Sequence, residues 1–268
     1  MIVVALASQT AGQASSAFGS HLKLFSTENT VPQHFASIDS GTGSTSVLGL
    51  TGNYFIGIDY RASNHTLYGA GGRLASLNLA TGAATTIGLT PELVASIAFS
   101  PGDQLFAVSN SGNTLYKLDP ATGGMLSSVP LTGTVHTTDG SPAPGEINGI
   151  DFGPDGTLYG IGFGLYTINP LTGVATRLTP IGSYVSATRD LFKDLDFGTD
   201  GVLRGVNNST KASIYTIDLS TGLGIVEANS GYQAGGIASV PEPSSLVLAA
   251  IGLSGTAAAI VRRRNATA

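Results

Sequence analysis

The chain has 268 residues, a formal net charge of −5 and no cysteine. The lack of cysteine excludes disulfides, a thiolate nucleophile and thiolate metal sites, and the acidic balance argues against a nucleic-acid partner. Charged residues make up 11% of the chain, against roughly 25% in an average soluble protein. The polar surface is therefore expected to consist largely of Ser, Thr, Asn and Gly, on one large all-β domain.

Residues 1–18 are predicted to be a leader outside the fold. The first seven residues are apolar and end in Ala5-Leu6-Ala7, which matches an A-x-A cleavage pattern. A basic region, which normally precedes such a segment, is missing. We interpret the leader as the remnant of a signal peptide in a truncated gene model, with a disordered apolar leader as the alternative.

Residues 19–240 form a repeat in which a polar residue is followed three positions later by Thr-Gly. Five copies stand 39, 41, 50 and 49 residues apart, and an apolar residue directly precedes each polar one. An Asp or Asn side chain caps N–H groups two residues on, and Gly takes the positive φ of a bulged turn. Each copy therefore predicts a turn between two strands. The polar residues are Asp39, Asn78, Asp119, Asn169 and Asp218.

Four strands are predicted in each repeat. The strand before the turn contains Phe35, Leu74, Leu115, Leu165 and Ile214. The strand before that one begins near Leu24, Leu67, Leu105, Leu158 and Leu203. The innermost strand contains Ile58, Ile97, Ile150 and Leu195, and the outermost strand follows each Thr-Gly. A repeat of this length with four strands is typical of a propeller blade.

The first blade has no inner strand ahead of Leu24, whereas a fifth inner copy, residues 236–239, stands at the C-terminal end of the repeat. Pairing the two would complete one blade and remove an exposed sheet edge. We therefore predict a five-bladed β-propeller of four-stranded blades closed by residues 234–240. These blades resemble the Asp-Gly-x-Leu-Tyr and Asp-x-x-Thr-Gly blades of an uncharacterised propeller-like family, a resemblance that implies the fold and no chemistry.

The C-terminal region has three parts in a fixed order. Pro241-Glu242-Pro243 precedes an uncharged apolar run from Leu246 to Val261, and three arginines follow directly. As a helix this run would rise about 24 Å, and Ser244 and Ser245 extend it toward the roughly 30 Å of a hydrocarbon core. The arginines would stay on the cytoplasmic side, which leaves the preceding residues outside the cytoplasm. We predict one transmembrane helix here.

This three-part order resembles the PEP-CTERM sorting signal of exported Gram-negative bacterial proteins, across residues 241–264, with 265–268 as a tail. The resemblance implies processing by an exosortase, a membrane protease-transpeptidase often found in bacteria that make exopolysaccharide. It implies export across the inner membrane, transient anchoring, and a final place at the cell envelope or surface or in the extracellular matrix. Recognition would fall to Pro241, Glu242 and Pro243, and retention during processing to Arg262, Arg263 and Arg264.

Two alternatives remain for this region: a plain membrane anchor or a buried apolar helix. Pro241 and Pro243 at its start argue against the buried helix.

Asp59, Asp151 and Asp196 occupy equivalent positions on the inner strands, with Ala98 and Ala238 in the other two copies. Equivalent inner-strand positions converge around a propeller axis, so the three carboxylates are expected to face one channel. There they would bind a cation such as Ca²⁺ or act as general acids and bases. The alternative is a structural role, because repeated residues usually serve the repeat. No cofactor is expected.

Two long connections between blades are further candidate sites, because function often resides in such loops. Residues 131–146 include His136, Asp139, Pro142 and Pro144, and residues 182–193 include Tyr184, Arg189 and Asp190. A tolerant surface insertion is the alternative. Tyr68, Tyr159, Tyr166 and Tyr215 suit either carbohydrate stacking or inter-blade core, and their strand positions favour core.

The remaining candidates have local explanations. Asp103, Asp155 and Asp200 are explained by their turns, and the four histidines lack metal-ligand spacing. The sequence thus leads to a non-enzymatic exported propeller that acts as a binding or structural module, with exopolysaccharide as a candidate partner. The alternative is a glycan-active hydrolase or lyase that uses the three inner-strand aspartates.

Overall fold

The computed structural model describes residues 22–111, 114–133, 147–180 and 183–241. The predicted leader and the predicted transmembrane helix lie outside these ranges. Within them, no helix is long and apolar enough to cross a membrane.

The described chain forms twenty strands in five four-stranded antiparallel sheets, the blades of a propeller. Blade 1 contains β20 (Ala234–Ser239), β1 (Lys23–Glu28), β2 (His34–Asp39) and β3 (Thr45–Leu50). Blade 2 contains β4 (Phe55–Arg61), β5 (Thr66–Gly71), β6 (Arg73–Leu77) and β7 (Ala84–Leu89). Blade 3 contains β8 (Val94–Phe99), β9 (Leu105–Ser109), β10 (Thr114–Leu118) and β11 (Met125–Pro130). Blade 4 contains β12 (Gly149–Phe152), β13 (Leu158–Ile161), β14 (Leu165–Ile168) and β15 (Ala175–Arg177). Blade 5 contains β16 (Phe192–Phe197), β17 (Leu203–Asn207), β18 (Ser213–Ile217) and β19 (Gly224–Asn229).

The predicted closure of the ring is confirmed. The last strand, β20, pairs antiparallel with β1, so that Leu24 faces Ser239 and Phe25 faces Ala238. The Ser26 hydroxyl also donates to the carbonyl of Gly236 at 2.8 Å. Blade 1 is therefore completed by the two ends of the repeat region, and β20 is the inner strand of its sheet.

The Thr-Gly repeat forms the turn between the third and fourth strands of every blade. Its glycine has a positive φ between 63° and 74° in all five copies. The N–H groups of Ala80, Ala121, Leu171 and Ser220 donate to the Asp or Asn two residues earlier at 2.7–2.9 Å. In the first copy, the N–H of Thr42 donates to Asp39 instead. The turn chemistry predicted from the sequence is present in every blade.

Five apolar clusters make up the core, one between each pair of neighbouring blades. The four tyrosines that suited either core or carbohydrate stacking are all buried. Tyr68 packs on Phe99 of the next blade at a ring-centroid distance of 5.1 Å, and Tyr159 packs on Phe197 at 5.3 Å. Aromatic contacts across blade boundaries therefore hold the ring together, as edge-to-face or tilted pairs do in many cores.

Candidate functional site

The inner strands β4, β8, β12, β16 and β20 end around one opening of the channel, which we call the channel mouth. Asp59, Asp151 and Asp196 line a cavity of about 190 Å³ there. We call the five equivalent inner-strand positions, 59, 98, 151, 196 and 238, the column. The residue that follows each column position also lines this cavity, and these residues are Tyr60, Phe99, Phe152, Phe197 and Ser239. The structure thus brings the three predicted carboxylates together, beneath a rim that contains four aromatic side chains.

Two of the carboxylates hold neighbouring blades together. Asp59 accepts the N–H of Tyr60, next in its own strand, at 2.6 Å and the N–H of Phe99 in blade 3 at 2.5 Å. Asp151 accepts the N–H of Phe152 in its own strand and that of Phe197 in blade 5, both at 2.7 Å. Each of these carboxylates therefore uses one oxygen on its own strand and the other on the next blade.

Asp196 has a different set of contacts. Its polar neighbour is Ser239 in blade 1, which opposes the rise of its pKa, but the Ser239 hydroxyl donates to the carbonyl of Phe197 and the N–H of Phe197 donates to Asp151. Asp196 is 5% exposed, and its Oδ2 has no hydrogen-bond partner among the described residues. A buried acceptor without a donor is uncommon and calls for an explanation.

The N–H groups of the mouth are divided unequally among the three carboxylates. Asp59 and Asp151 accept four of them, those of Tyr60, Phe99, Phe152 and Phe197, and thereby use all four of their oxygens. A further aspartate at Ala98 would find the N–H groups of Phe99 and Phe152 already bonded. Asp196 keeps a buried oxygen, Oδ2, without a partner in the described chain.

Burial raises the pKa of every carboxyl in the column, and repulsion within the column adds to the shift at Asp59 and Asp151. Burial raises the pKa of Asp59 to about 8, with the charge of Asp196 adding to the shift and the N–H bonds opposing it. Burial and the charges of Asp59 and Asp196 raise the pKa of Asp151 well above its usual range. Burial raises the pKa of Asp196 to about 6, against the polar Ser239 and the charge of Arg204. The mouth is therefore a place where negative charge is costly.

A fourth aspartate lies deeper in the channel, and our reading of the sequence missed it. Asp194 is 1% exposed and accepts the Ser96 hydroxyl at 2.8 Å and the N–H of Ile237 at 3.1 Å. It thereby joins blade 5 to blades 3 and 1 across the axis. Burial raises its pKa well above the ordinary value. Since alternate residues of a strand share a face, its position two residues before Asp196 was the signal that could have revealed it.

Small residues at the same level make room for this carboxylate. The positions equivalent to Asp194 in the other inner strands are Gly57, Ser96, Gly149 and Gly236. A Cβ on Gly57 would lie 2.4 Å from the Cα of Ser96, and a Cβ on Gly149 would lie 2.6 Å from the Cα of Asp194. Side chains are therefore excluded at these glycines, and the inner strands approach one another closely below the mouth.

Two arginines near the mouth are paired with acids. Arg61 donates through Nε to Asp103 at 2.9 Å and lies 5.4 Å from the ring centroid of Phe99. Arg204 pairs with Asp200 at 3.0 Å and with Glu227 at 2.8 Å. Asp103 and Asp200 thus do more than the turn role that their sequence context explains. Asp155, the third residue of that set, makes the local bonds of its turn to Thr157.

The described part of the second long connection, residues 183–191, leads to the start of β16, at the end of this inner strand opposite the mouth. There, Arg189 lies 5.2 Å from the ring centroid of Tyr184. Asp190 accepts bonds from Thr188, Asn207 and Tyr215 at 2.5–3.1 Å, which serve the local structure. His136, Asp139, Pro142 and Pro144 lie outside the described residues.

No group of three or more His, Asp or Glu side chains in the described part of the chain is arranged to hold a metal ion. The three mouth carboxylates use most of their oxygens on N–H groups. The predicted Ca²⁺ ligation therefore has no support from their geometry. Of the predicted sorting residues, Pro241 is described and lines the mouth cavity. Glu242, Pro243, Arg262, Arg263 and Arg264 lie outside the described residues.

Residues 239–264 match the PEP-CTERM protein-sorting motif, which confirms the resemblance found in the sequence. The motif implies an exported protein that an exosortase processes and that is anchored transiently through its C-terminus. The chain is thus a five-bladed propeller joined directly to a sorting motif. The match begins at Ser239, the last residue of the closing strand. No curated protein sequence matches the chain significantly.

Several solved structures are similar to this one. Hydrazine synthase of Kuenenia stuttgartiensis is 16% identical with a TM-score of 0.42, over 66% of this chain and 48% of that chain. Selenomethionine-substituted virginiamycin B lyase from Staphylococcus aureus is 14% identical with a TM-score of 0.42, over 72% and 61%. TolB from Acinetobacter baumannii is 12% identical with a TM-score of 0.46, over 84% and 68%. The matched region spans less than two thirds of the first two proteins.

Proposed function

We propose that the protein is a non-catalytic binding or structural module that acts at the cell envelope or in an extracellular polysaccharide matrix. The observation that carries this proposal is the use of the mouth carboxylates: four N–H groups occupy all four oxygens of Asp59 and Asp151, and Oδ2 of Asp196 is buried. The sorting motif supports the location, since it directs the chain out of the cytoplasm.

The bonding of the carboxylates argues against glycoside hydrolysis. Hydrolysis of this kind generally needs two carboxyl groups, one as acid and one as base or nucleophile. Asp59 and Asp151 each use both oxygens on backbone N–H groups. Of the three mouth carboxylates, only Asp196 has a buried oxygen without a partner in the described chain. A single carboxylate of this kind suits recognition of a ligand better than a two-carboxylate mechanism.

The junction between ring and tail supports a module that survives sorting intact. The closing strand ends at Ser239, and Pro241 already belongs to the mouth cavity. Processing at or after Pro241 would leave all twenty strands in place. We infer that the folded ring is what reaches the envelope or matrix, whether released or attached again.

A glycan array with the tagged protein, together with fractionation of producing cells, tests this proposal. We expect binding to at least one class of acidic, neutral or amino-sugar glycan and retention of the tagged protein with the cell matrix. Absence of all glycan binding combined with free diffusion into the medium would contradict it. Hydrolysis or elimination products from an arrayed glycan, lost in Asp151→Asn, would favour the glycan-active enzyme instead.

A further inference from the structure

The chemistry of the channel mouth points to one class of ligand. We propose that the mouth binds a primary ammonium group, presented by a de-N-acetylated amino-sugar unit of a glycan or by a polyamine. This deepens the proposed function by naming a ligand class, and it rests on that function only for the glycan source.

One buried carboxylate oxygen at the mouth, Oδ2 of Asp196, lacks a hydrogen-bond donor within the described residues. Asp196 is 5% exposed, lines the cavity, and has an Oδ2 without a hydrogen-bond partner among the described residues. A buried carboxylate oxygen is stabilised by a donor, preferably a charged one. The neighbouring N–H groups cannot supply it, since Asp151 already accepts the bond of Phe197.

Four carboxyl groups lie close together at the mouth and just below it, with Asp194 beneath the other three. The charge of Asp196 raises the pKa of Asp59, and the charges of Asp59 and Asp196 raise that of Asp151. The arginines on this side are committed to acids, Arg61 to Asp103 and Arg204 to Asp200 and Glu227. A neutral hydroxyl could donate to Asp196 but would leave this repulsion in place. A cationic donor supplies the missing hydrogen bond to Asp196 and also reduces the repulsion among the carboxylates. An ammonium group therefore fits better than a hydroxyl.

The channel mouth suits an organic cation better than a metal ion. Hard cations such as Ca²⁺ need six to eight oxygen ligands, whereas the mouth has one carboxylate oxygen without a partner. The rim is aromatic: Tyr60, Phe99 and Phe197 line both the inner cavity and an adjoining outer cavity of about 320 Å³. Aromatic faces attract organic ammonium groups. Arg61 already uses Phe99 in this way, at 5.4 Å.

The dimensions fit a small cationic group on a longer ligand. The inner cavity, about 190 Å³, can hold the ammonium and its adjacent carbons, and the outer cavity, about 320 Å³, can hold one further unit. The outer cavity is lined by turn residues such as Ser63, Pro101 and Pro154. A chain of sugar units could therefore extend away from the mouth along the face of the ring.

Isothermal titration of the full-length protein tests the proposal with three probes: a fully de-N-acetylated glucosamine tetramer, its N-acetylated counterpart, and spermidine. We expect the de-N-acetylated tetramer to bind and the N-acetylated one to bind at least about tenfold more weakly, because acetylation removes the charge. Equal binding of both tetramers, or binding of none of the three probes, would overturn the ammonium site. Spermidine binding as tightly as the tetramer would support the site with a polyamine as its ligand.

Matched variants locate the site. Asp196→Asn keeps the shape but removes the charge, and we expect at least a tenfold loss of affinity for the best probe. Asp218→Asn, an acid in an exposed Thr-Gly turn remote from both cavities, should bind like the wild type. If both variants bind equally well, the assignment to the mouth is wrong. Should Asp196→Asn fail to fold, Tyr60→Leu on the rim serves in its place, with an expected loss of about two- to fivefold.

These results separate this inference from the proposed function. Neutral glycans that bind equally to wild type and Asp196→Asn would retain the binding module and reject the ammonium site. Spermidine that binds at the mouth without any glycan binding would retain the ammonium site and reject the glycan-binding role.

Discussion

The chain contains two recurring sets of acidic or amide side chains. One set lies in turns at the periphery, and the other is buried at the channel mouth. The Thr-Gly turns at the periphery carry an Asp or Asn in all five blades, and these side chains bond to N–H groups two or three residues away. The inner-strand column carries an aspartate in three blades, and the bonds of Asp59 and Asp151 reach N–H groups 40 and 46 residues away. The turns shape individual blades, whereas the column joins blades into a ring.

The titration of the two sets differs accordingly. In the Thr-Gly turns, hydrogen bonds from Ser220 and Thr221 lower the pKa of Asp218. In the column, burial raises the pKa of Asp59 to about 8 and that of Asp196 to about 6. The same residue type therefore favours its charged form at the periphery and its neutral form at the axis. The following predictions test whether the ring depends on the column more than on the turns.

The largest effect is expected from removal of the closing strand. A chain that ends at Gly231 keeps all five Thr-Gly turns but loses β20, and with it the pairing to β1 and the Ile237 bond to Asp194. We expect loss of a cooperative thermal transition, followed by circular dichroism, because blade 1 would have an unpaired apolar edge. A chain that ends at Pro241 is the control and should melt like the full chain. An unchanged melting temperature in the shorter chain would refute the closure.

The next largest effect is expected from a methyl group in the inner layer. Gly149→Ala would place a Cβ 2.6 Å from the Cα of Asp194, and we expect the free energy of unfolding to fall by about 3 kcal/mol or more. Gly156→Ala is the control in a turn, where φ is +81° but no atom lies within 4 Å. It should cost about 1 kcal/mol through backbone strain alone. Urea denaturation measures the free energy of unfolding of both variants. Equal losses would mean that the inner strands can accommodate a methyl group at Gly149.

Loss of one column carboxylate should have a smaller effect. Asp151→Ala leaves the N–H groups of Phe152 and Phe197 without an acceptor, which we expect to cost about 2 kcal/mol. Part of that cost is offset because the repulsion with Asp59 and Asp196 disappears. Asp155→Ala, whose bonds stay within one exposed turn, should lose less than half as much free energy of unfolding in the same urea experiment. A greater loss in Asp155→Ala than in Asp151→Ala would contradict the expectation that the ring depends more on the column than on the turns.

The smallest effect is expected from pH. Groups with raised folded-state pKa values bind protons more tightly when folded, so stability falls as pH rises from about 4, the unfolded value, to the value of about 8 at Asp59. We expect a melting temperature roughly 3–6 °C lower at pH 8.5 than at pH 5. Asp59→Asn should make the decline shallower over the whole range, and the raised pKa values of Asp151 and Asp194 should account for what remains. The turn aspartates act in the other direction, because their lowered pKa values make stability fall as pH drops below about 4.

The architecture could be predicted because its signals are local and repeated. Thr-Gly spacing gives the number of blades, and the missing inner strand before Leu24 indicates the closure. Asp194 could not be found in this way, because the residues at its level, Gly57, Ser96, Gly149 and Gly236, differ in type and produce no visible repeat. The partners of the column could not be predicted either. They depend on which strand end lies beside which carboxylate, and only the closed ring determines that.

Column carboxylates hold inner strands across blade boundaries through the N–H groups of Phe99 and Phe197. Amide hydrogen exchange in two single variants measures this directly. In Asp151→Ala, we expect the amide of Phe197 to exchange at least about tenfold faster than in the wild type, while the amide of Phe99 is unchanged. In Asp59→Ala, we expect the reverse, because Asp59 accepts the bond of Phe99. Unchanged protection of Phe197 in Asp151→Ala, or equal acceleration of both amides in both variants, would contradict the claim.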